Sequence, residues 1–398
     1  MAKDNFMLSM RMETLTIFHG LLEDPVIKAL RDMLYASDKA EHTLDAIRFY
    51  STFVSMLYES CPDLSKYITD LVLDNENFYI RQYAAGIPLS DSVKESLLAE
   101  LDLLQELTQL TSKEVQRSIN YHGFLPQWDN SPVDLKYKYM ARLETLPEKG
   151  FGIYAKYHTF SVKDGKITPV LYPDPQRLSD LFGYQRQKQQ IIANVNALLK
   201  GTGCNNMLLY GDAGTGKSST IKAVANEYAK KGLRLVEVTK QEIHHIPSIT
   251  DTLGTLPLKF ILFIDDLSFS KNDDNFSALK AILEGGVSSN SKNIAIFATS
   301  NRRHLIKEQF RDREGDDLHL NDTLQETTSL AARFGLTITF QQPSKEEYLS
   351  IVDQLAGLYR IDMDSQLLHQ KAETHALRNN GRTPRLAKQF MELLKSGI

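Results

Sequence analysis

The stretch Met207-Leu208-Leu209-Tyr210-Gly211-Asp212-Ala213-Gly214-Thr215-Gly216-Lys217-Ser218-Ser219 decides how this chain is read. Gly211 to Ser218 has the spacing G-x-x-x-x-G-K-[ST]. An apolar strand before it and helix-forming residues after it are the setting in which that spacing makes a phosphate cradle. Glycines let consecutive backbone N–H groups curl around an oxyanion, and the following helix presents its positive end to the same point. Gly211, Asp212, Ala213, Gly214, Thr215 and Gly216 are therefore expected to surround the phosphates of a nucleotide, with Ser219 beside them. Lys217 is expected to reach the β- and γ-phosphates, and the Ser218 hydroxyl to ligate Mg²⁺.

Working downstream, Phe260-Ile261-Leu262-Phe263-Ile264 is apolar without interruption, the mark of a strand buried on both faces of a parallel sheet, and it ends in Asp265-Asp266. Ligands of open α/β sheets bind at the carboxyl ends of strands, so both carboxylates are expected at the cradle. Asp265 is assigned to the Mg²⁺ side and Asp266 to polarising the attacking water. From Leu178 onward helices alternate with short strands at Asn206–Tyr210, Arg234–Thr239, Phe260–Ile264, Ile294–Thr299 and Leu336–Phe340. The fold class read from this is an α/β domain with a parallel sheet, predicted over 178–343. Strands cease after Pro343. Ser344-Lys345-Glu346-Glu347 has capping-box spacing and Thr383-Pro384 opens a last helix, so residues 344–398 are expected to form a small helical subdomain.

Working upstream, apolar residues recur every three or four positions from Leu8 to about Ile119, predicting a mainly helical domain over 1–150. Ser92-Val93-Lys94-Glu95 and Thr111-Ser112-Lys113-Glu114 both have capping-box spacing. Leu97, Leu98, Leu101, Leu104 and Leu107 between them make a stripe that suits core packing, or else a partner-binding face. Tyr154–Val162 and Lys166–Leu171 flank Asp164-Gly165 and predict a β-hairpin; with Pro173-Asp174-Pro175 as stiff punctuation, 151–177 reads as a hairpin and linker.

Composition narrows the function classes. The chain has 398 residues, 42% hydrophobic and 24% charged, with 21 Gly and 13 Pro, which speaks against disorder, collagen-like repeats and a disulfide scaffold. Net charge is −4, divided as −7 over 1–180 and +3 over 181–398, so neither part advertises a nucleic-acid surface. Cys61 and Cys204 lack a CxxC pattern or matching histidines, which argues against a zinc or redox motif. No apolar leader or spanning segment is evident, and a cytoplasmic location without membrane attachment is expected.

The order of phosphate loop, Asp265-Asp266, Ala298-Thr299-Ser300-Asn301, Leu330-Ala331-Ala332-Arg333-Phe334 and Gly381-Arg382-Thr383-Pro384-Arg385 resembles the AAA+ ATPase module over about 178–397. The resemblance implies a P-loop core with a helical lid, and a homo-oligomer. It also implies a sensor 1 role for Asn301, an arginine finger offered to a neighbouring subunit by Arg333, and a lid sensor for Arg385, with Arg382 as rival. Asp180-Leu181-Phe182-Gly183-Tyr184 matches the segment that packs on adenine, which brings Phe182 and Gly183 into the site. Phe263–Phe269, Leu279–Gly286, Ala298–Leu305 and Arg333–Leu336 further resemble the bacterial family called domain of unknown function 815.

The residues carry their own reasons beside the resemblance. Asn301 can orient water with a neutral amide, and Arg333 offers a planar fork to developing phosphoryl charge, although a surface salt bridge would use it as well. Arg385 opens a helix, where a cation opposes the dipole and a phosphate partner would make sense of it. Arg302 and Arg303 suit structural or intersubunit roles alike. Most AAA+ modules end the acidic strand in Asp-Glu; Asp266 is one methylene shorter, which predicts slow turnover unless the backbone compensates. The loop Glu242-Ile243-His244-His245-Ile246-Pro247 carries no aromatic residue, which argues against protein threading, and no further ligand is spaced near its histidines for a metal site. The expectation is a Mg²⁺-dependent ATPase that drives subunit or partner rearrangement, its acidic N-terminal region recruiting a protein. The alternatives are a DNA-associated loader or initiator-like ATPase, or a nucleotide-gated scaffold with negligible turnover.

Overall fold

The uninterrupted apolar run at Phe260–Ile264 forms an interior strand of a seven-stranded sheet in the computed structural model, which describes residues 5–39, 43–269, 274–284, 292–301, 330, 332–379 and 381–397. The chain folds as two compact units, Met1–Lys156 and Tyr157–Ile398.

In the second unit the strands are β1 (Thr159–Lys163), β2 (Lys166–Pro169), β3 (Met207–Gly211), β4 (Leu233–Glu237), β5 (Lys259–Ile264), β6 (Ile294–Ser300) and β7 (Leu336–Phe340). Their order in the sheet is β2-β1-β4-β5-β6-β3-β7. All neighbours are parallel except β1 with β2. The five strands read from sequence thus appear within two residues of their expected ends. Met207, Leu209, Ile261, Phe263, Phe297 and Phe340 fill one core with Ile221 and Val224 of the helix Lys217–Tyr228. Cys204 packs on the edge of that core, and burial pushes its thiol up to about 11, which keeps it protonated at neutral pH.

The hairpin is part of this sheet and not of a linker. Thr159, Phe160 and Ser161 pair in parallel with Leu235, Val236 and Glu237, a contact spanning more than seventy positions that no local pattern announces. Its turn is where it was expected, with Asp164 and Gly165 at φ +49° and +70°. Its first strand is shorter than read, because Ile153–Lys156 is a helical turn and the strand begins at Thr159. Pro173–Pro175 likewise lies inside the second unit: Asn226, on the helix after the phosphate loop, donates its amide to the carbonyls of Asp174 (2.8 Å) and Gln176 (2.9 Å).

Gly211 closes β3 at φ +138°, and a Cβ added there would stand 2.0 Å from the carbonyl oxygen of Phe340 on β7. Backbone strain and a clash with main chain combine, so Gly211→Ala is expected to destabilise the second unit by on the order of 3 kcal/mol or more. Chemical denaturation monitored by circular dichroism measures this; a midpoint equal to that of the unaltered chain would contradict it.

The lid consists of the helices Lys345–Tyr359, Ser365–Arg378 and Pro384–Lys395 around Tyr348, Ile351, Val352, Leu368, Phe390 and Met391. Ser344 and Glu347 form the expected capping box, and Thr383 caps the last helix ahead of its proline.

The first unit is helical among the described residues, from Asn5–Met12 to Ile153–Lys156, with Trp128 packed between Tyr50 and Phe53. Thr111 and Glu114 make a capping box, but Ser92 does not: the helix Asp91–Thr108 starts earlier, with Ser90 in the N-cap position and Asp91 in the first turn. Leu97, Leu101, Leu104 and Leu107 are buried, whereas Leu98, one helical step aside, faces out. Among the described residues no helix is long and apolar enough to cross a membrane.

Candidate nucleotide site

β3, β5 and β6 end together at one edge of the sheet, and the phosphate loop leaves β3 there. Gly216 sits in the N-cap position of the helix Lys217–Tyr228 at φ +90°, with open space where a side chain would project. The first amides of that helix have no partners within it, so they are available to an anion. Lys217 is buried, and its ammonium donates to the carbonyls of Gly211 (2.9 Å) and Asp212 (2.8 Å) and to Oδ1 of Asn301 (3.0 Å). Burial pulls its pKa below the ordinary lysine value. The carboxylates of Asp212, Asp266 and Asp265 oppose that shift, and Arg385 adds to it.

Asp265 accepts hydrogen bonds from Ser218 Oγ at 2.6 Å and from Thr299 Oγ1 at 2.5 Å. The next residue, Asp266, has φ +48°, a left-handed conformation that costs a non-glycine residue free energy. Its N–H is held by Asp265 Oδ1 (3.0 Å) and by the buried Thr299 hydroxyl (2.9 Å), and these bonds fix the kink. Asn301 donates from Nδ2 to Asp266 Oδ1 at 2.8 Å. One chain of hydrogen bonds therefore runs from Lys217 through Asn301 to Asp266, and a second from Ser218 through Asp265 to Thr299. Thr299 completes this network, although in sequence a threonine in an apolar strand reads as β-branched filler.

A cavity of about 240 Å³ opens between loop and lid, walled by Gly214, Thr215, Gly216 and Ser219, by Phe182, and by Arg385. The lid reaches the loop directly: the N–H of Arg385 donates to the Gly214 carbonyl (3.2 Å), and a Cβ on Gly214 would lie 3.1 Å from Thr383 Oγ1. Asp212 holds the other end of the lid, its Oδ2 accepting the N–H of Gln342 at 2.7 Å just before the first lid helix. Arg382, the rival of Arg385, is bound in a bidentate pair to Glu373 (2.9 and 2.8 Å), which raises its pKa further, and it does not line the cavity. Gly183 does not line it either; at φ +77° it lets the lid residue Ile351 approach to where a Cβ would meet it at 2.9 Å.

Arg333 is brought against Glu284, an ion pair joining the residues before β7 to the end of the helix Asp274–Leu283. Arg302, Arg303, Ala331 and Gly285-Gly286 lie outside the described residues. The Lys240–His245 turn after β4 is engaged with the hairpin, since the Glu242 carboxylate accepts the N–H groups of Asp164 and Gly165, each at 3.0 Å. The bond from Gly165 lowers the Glu242 pKa. Among the described residues no cluster of three or more His, Cys, Asp or Glu side chains stands ready to hold a metal by itself.

A family model described as "Protein of unknown function (DUF815)" matches residues 154–398, which includes both the hairpin and the lid. The chain belongs to the DUF815 family. Among curated proteins, the chain is similar to the Holliday junction branch migration complex subunit RuvB of Streptococcus pneumoniae (strain CGSP14), 22% identical over 56% of this chain and 62% of that protein. It is also similar to the replication factor C large subunit of Staphylothermus marinus, 31% identical over 30% of this chain and 29% of that protein. The chain thus spans less than two thirds of the length of either relative. Among solved structures, the Thermotoga maritima RuvB Holliday junction branch migration motor aligns with TM-score 0.38 and 16% identity over 56% of this chain and 65% of that one. AMPPCP-bound DnaA from Aquifex aeolicus aligns with TM-score 0.40 and 15% identity over 57% and 68%. The kinship to RuvB and the mostly parallel sheet agree on an α/β P-loop core of the AAA+ kind.

Proposed function

We propose that the chain binds and hydrolyses ATP with Mg²⁺ at the Gly211–Ser218 loop and uses the cycle to move its lid and its partners. The observation that carries this reading is the Lys217–Asn301–Asp266 chain of hydrogen bonds, which ties the phosphate-loop cation to the acidic strand end through one neutral amide. Amides of Gly214 to Lys217 and the Lys217 ammonium bind the phosphates. Asn301 holds Asp266 Oδ1 so that the remaining carboxylate oxygen orients water and takes its proton. The kinked backbone at Asp266 re-aims this shorter acid, and the reach it provides remains less than a glutamate's, so slow turnover is expected.

The Ser218 hydroxyl and the Asp265 carboxylate, 2.6 Å apart, are hard oxygen donors of the kind Mg²⁺ prefers, and they would hold it together with phosphate oxygens and water. When bound, the ion neutralises charge on the β- and γ-phosphate oxygens.

Arg385 on the cavity wall is proposed to sense the γ-phosphate and hold the lid down on the loop. A neighbouring subunit's copy of Arg333 is proposed to complete the site after leaving Glu284. Arg385→Ala is expected to slow hydrolysis on the order of 100-fold. Arg382→Ala, which breaks the pair with Glu373, is expected to lower the thermal midpoint while leaving the rate per folded molecule near that of the unaltered chain. Steady-state phosphate release and thermal melts on both variants separate the two roles; equal rate losses would contradict the assignment.

The first unit is proposed to recruit a protein. Met7, Met10, Tyr35 and Phe49 stand exposed on its helices, where apolar side chains suit a partner. The DNA-associated reading draws support from the names of the relatives. Its mark would be DNA affinity that falls steeply with salt.

A further inference from the structure

Lys188 stands in the run Gln185-Arg186-Gln187-Lys188-Gln189-Gln190, yet it is only 6% exposed. It lines the same cavity as Gly214–Gly216, on the wall formed with Leu181 and Phe182. Its ammonium donates to the Leu181 carbonyl, and among the described residues this is its one hydrogen-bond partner, with no carboxylate in ion-pair distance. Asp180 also lines the cavity, but its carboxylate is engaged by the Arg177 N–H (3.2 Å) and the Ser179 hydroxyl (3.0 Å). Burial alone lowers the Lys188 pKa.

An ammonium has three N–H donors, and one is used. The other two have no protein acceptor among the described residues, so a ligand that brings one to this wall gains a charge-assisted hydrogen bond. The wall also has a carbonyl acceptor directly beside the ammonium donor. Adenine presents the complement: an exocyclic amino donor with a ring-nitrogen acceptor next to it on either side. Guanine's O6 and N7 edge presents two acceptors, which would set an oxygen against the Leu181 carbonyl, and guanine could match the pair only by turning its O6 and N1–H edge to the wall.

We propose that Lys188 and Leu181 read the base of the nucleotide, the Leu181 carbonyl accepting from the exocyclic amino group of adenine and the Lys188 ammonium donating to the adjacent ring nitrogen. This rests on the nucleotide reading above and makes Lys188 a specificity-determining residue outside the phosphate loop.

The test is equilibrium binding of ATP, 7-deaza-ATP, 1-deaza-ATP and tripolyphosphate to the full chain and to Lys188→Met. The unaltered chain should bind one of the two deaza analogues about tenfold more weakly than ATP, the scale of one charge-assisted hydrogen bond. Lys188→Met should bind ATP about tenfold more weakly, should no longer distinguish that analogue from ATP, and should bind tripolyphosphate as the unaltered chain does. Should the variant fail to fold, the comparison of analogues on the unaltered chain still decides. Equal binding of ATP and both analogues by the unaltered chain overturns the proposal while leaving the nucleotide site intact, as does a parallel loss of tripolyphosphate affinity in Lys188→Met. If the unaltered chain binds neither ATP nor tripolyphosphate, the nucleotide reading itself falls, and this inference with it.

Discussion

Lys217→Ala should reduce ATP affinity by roughly 100-fold or more, equivalent to ~2.7 kcal/mol. The size follows from what the ammonium holds. It satisfies the carbonyls of Gly211 and Asp212 and the side-chain oxygen of Asn301, three acceptors that its removal leaves around the phosphate position. A polyanion would then meet three oxygens where it had met a cation, in a half-enclosed site where charge is weakly screened. The same change relieves the desolvation that lowers the Lys217 pKa, so the empty protein need not be less stable, and a thermal melt checks that the variant is folded. Titration calorimetry with ATP and Mg²⁺ measures the affinity. An unchanged value in a folded variant would refute the cradle assignment.

Asp266→Asn should leave ATP affinity within about threefold of the unaltered chain while slowing hydrolysis by ~10² to 10⁴. The substitution keeps the shape of the side chain and one carbonyl-type oxygen, so the bond from Asn301 Nδ2 can persist with the new amide suitably oriented. The N–H of residue 266, held by Asp265 and Thr299, is untouched. What is lost is a group able to take a proton from water. Such a variant should accumulate in its ATP-bound form, and affinity capture with it should retain whatever the bound state engages. Single-turnover phosphate release on a folded sample is the check; hydrolysis at the original rate would remove Asp266 from the chemistry.

The phosphate loop was legible in sequence because the cradle is made by consecutive residues, and glycine spacing is a local requirement. Asp265-Asp266 was legible for a related reason: an apolar strand that ends in two carboxylates places them at a sheet edge wherever the strand lies. Lys188 was not, since Gln185–Gln190 reads as a solvated helical turn. Only the return of the chain at Leu181 and the closeness of the lid bury it. The pairing of β1 with β4, the grip of Glu242 on the hairpin turn and the ion pair of Arg333 with Glu284 are equally tertiary, each joining residues about fifty to eighty positions apart. The choice between Arg382 and Arg385 shows the limit most plainly. Both stand in one five-residue phrase, and only the partner Glu373, nine residues back on the preceding lid helix, separates a structural guanidinium from one facing the cavity.

A crystal structure of the full chain grown with a non-hydrolysable ATP analogue and Mg²⁺ tests the central claim most directly. The expected result is triphosphate density wrapped by Gly214 to Lys217, the Lys217 ammonium on phosphate oxygens, and Mg²⁺ beside Ser218 and Asp265. Density for the analogue elsewhere on the chain, with this loop filled by protein side chains, would contradict it.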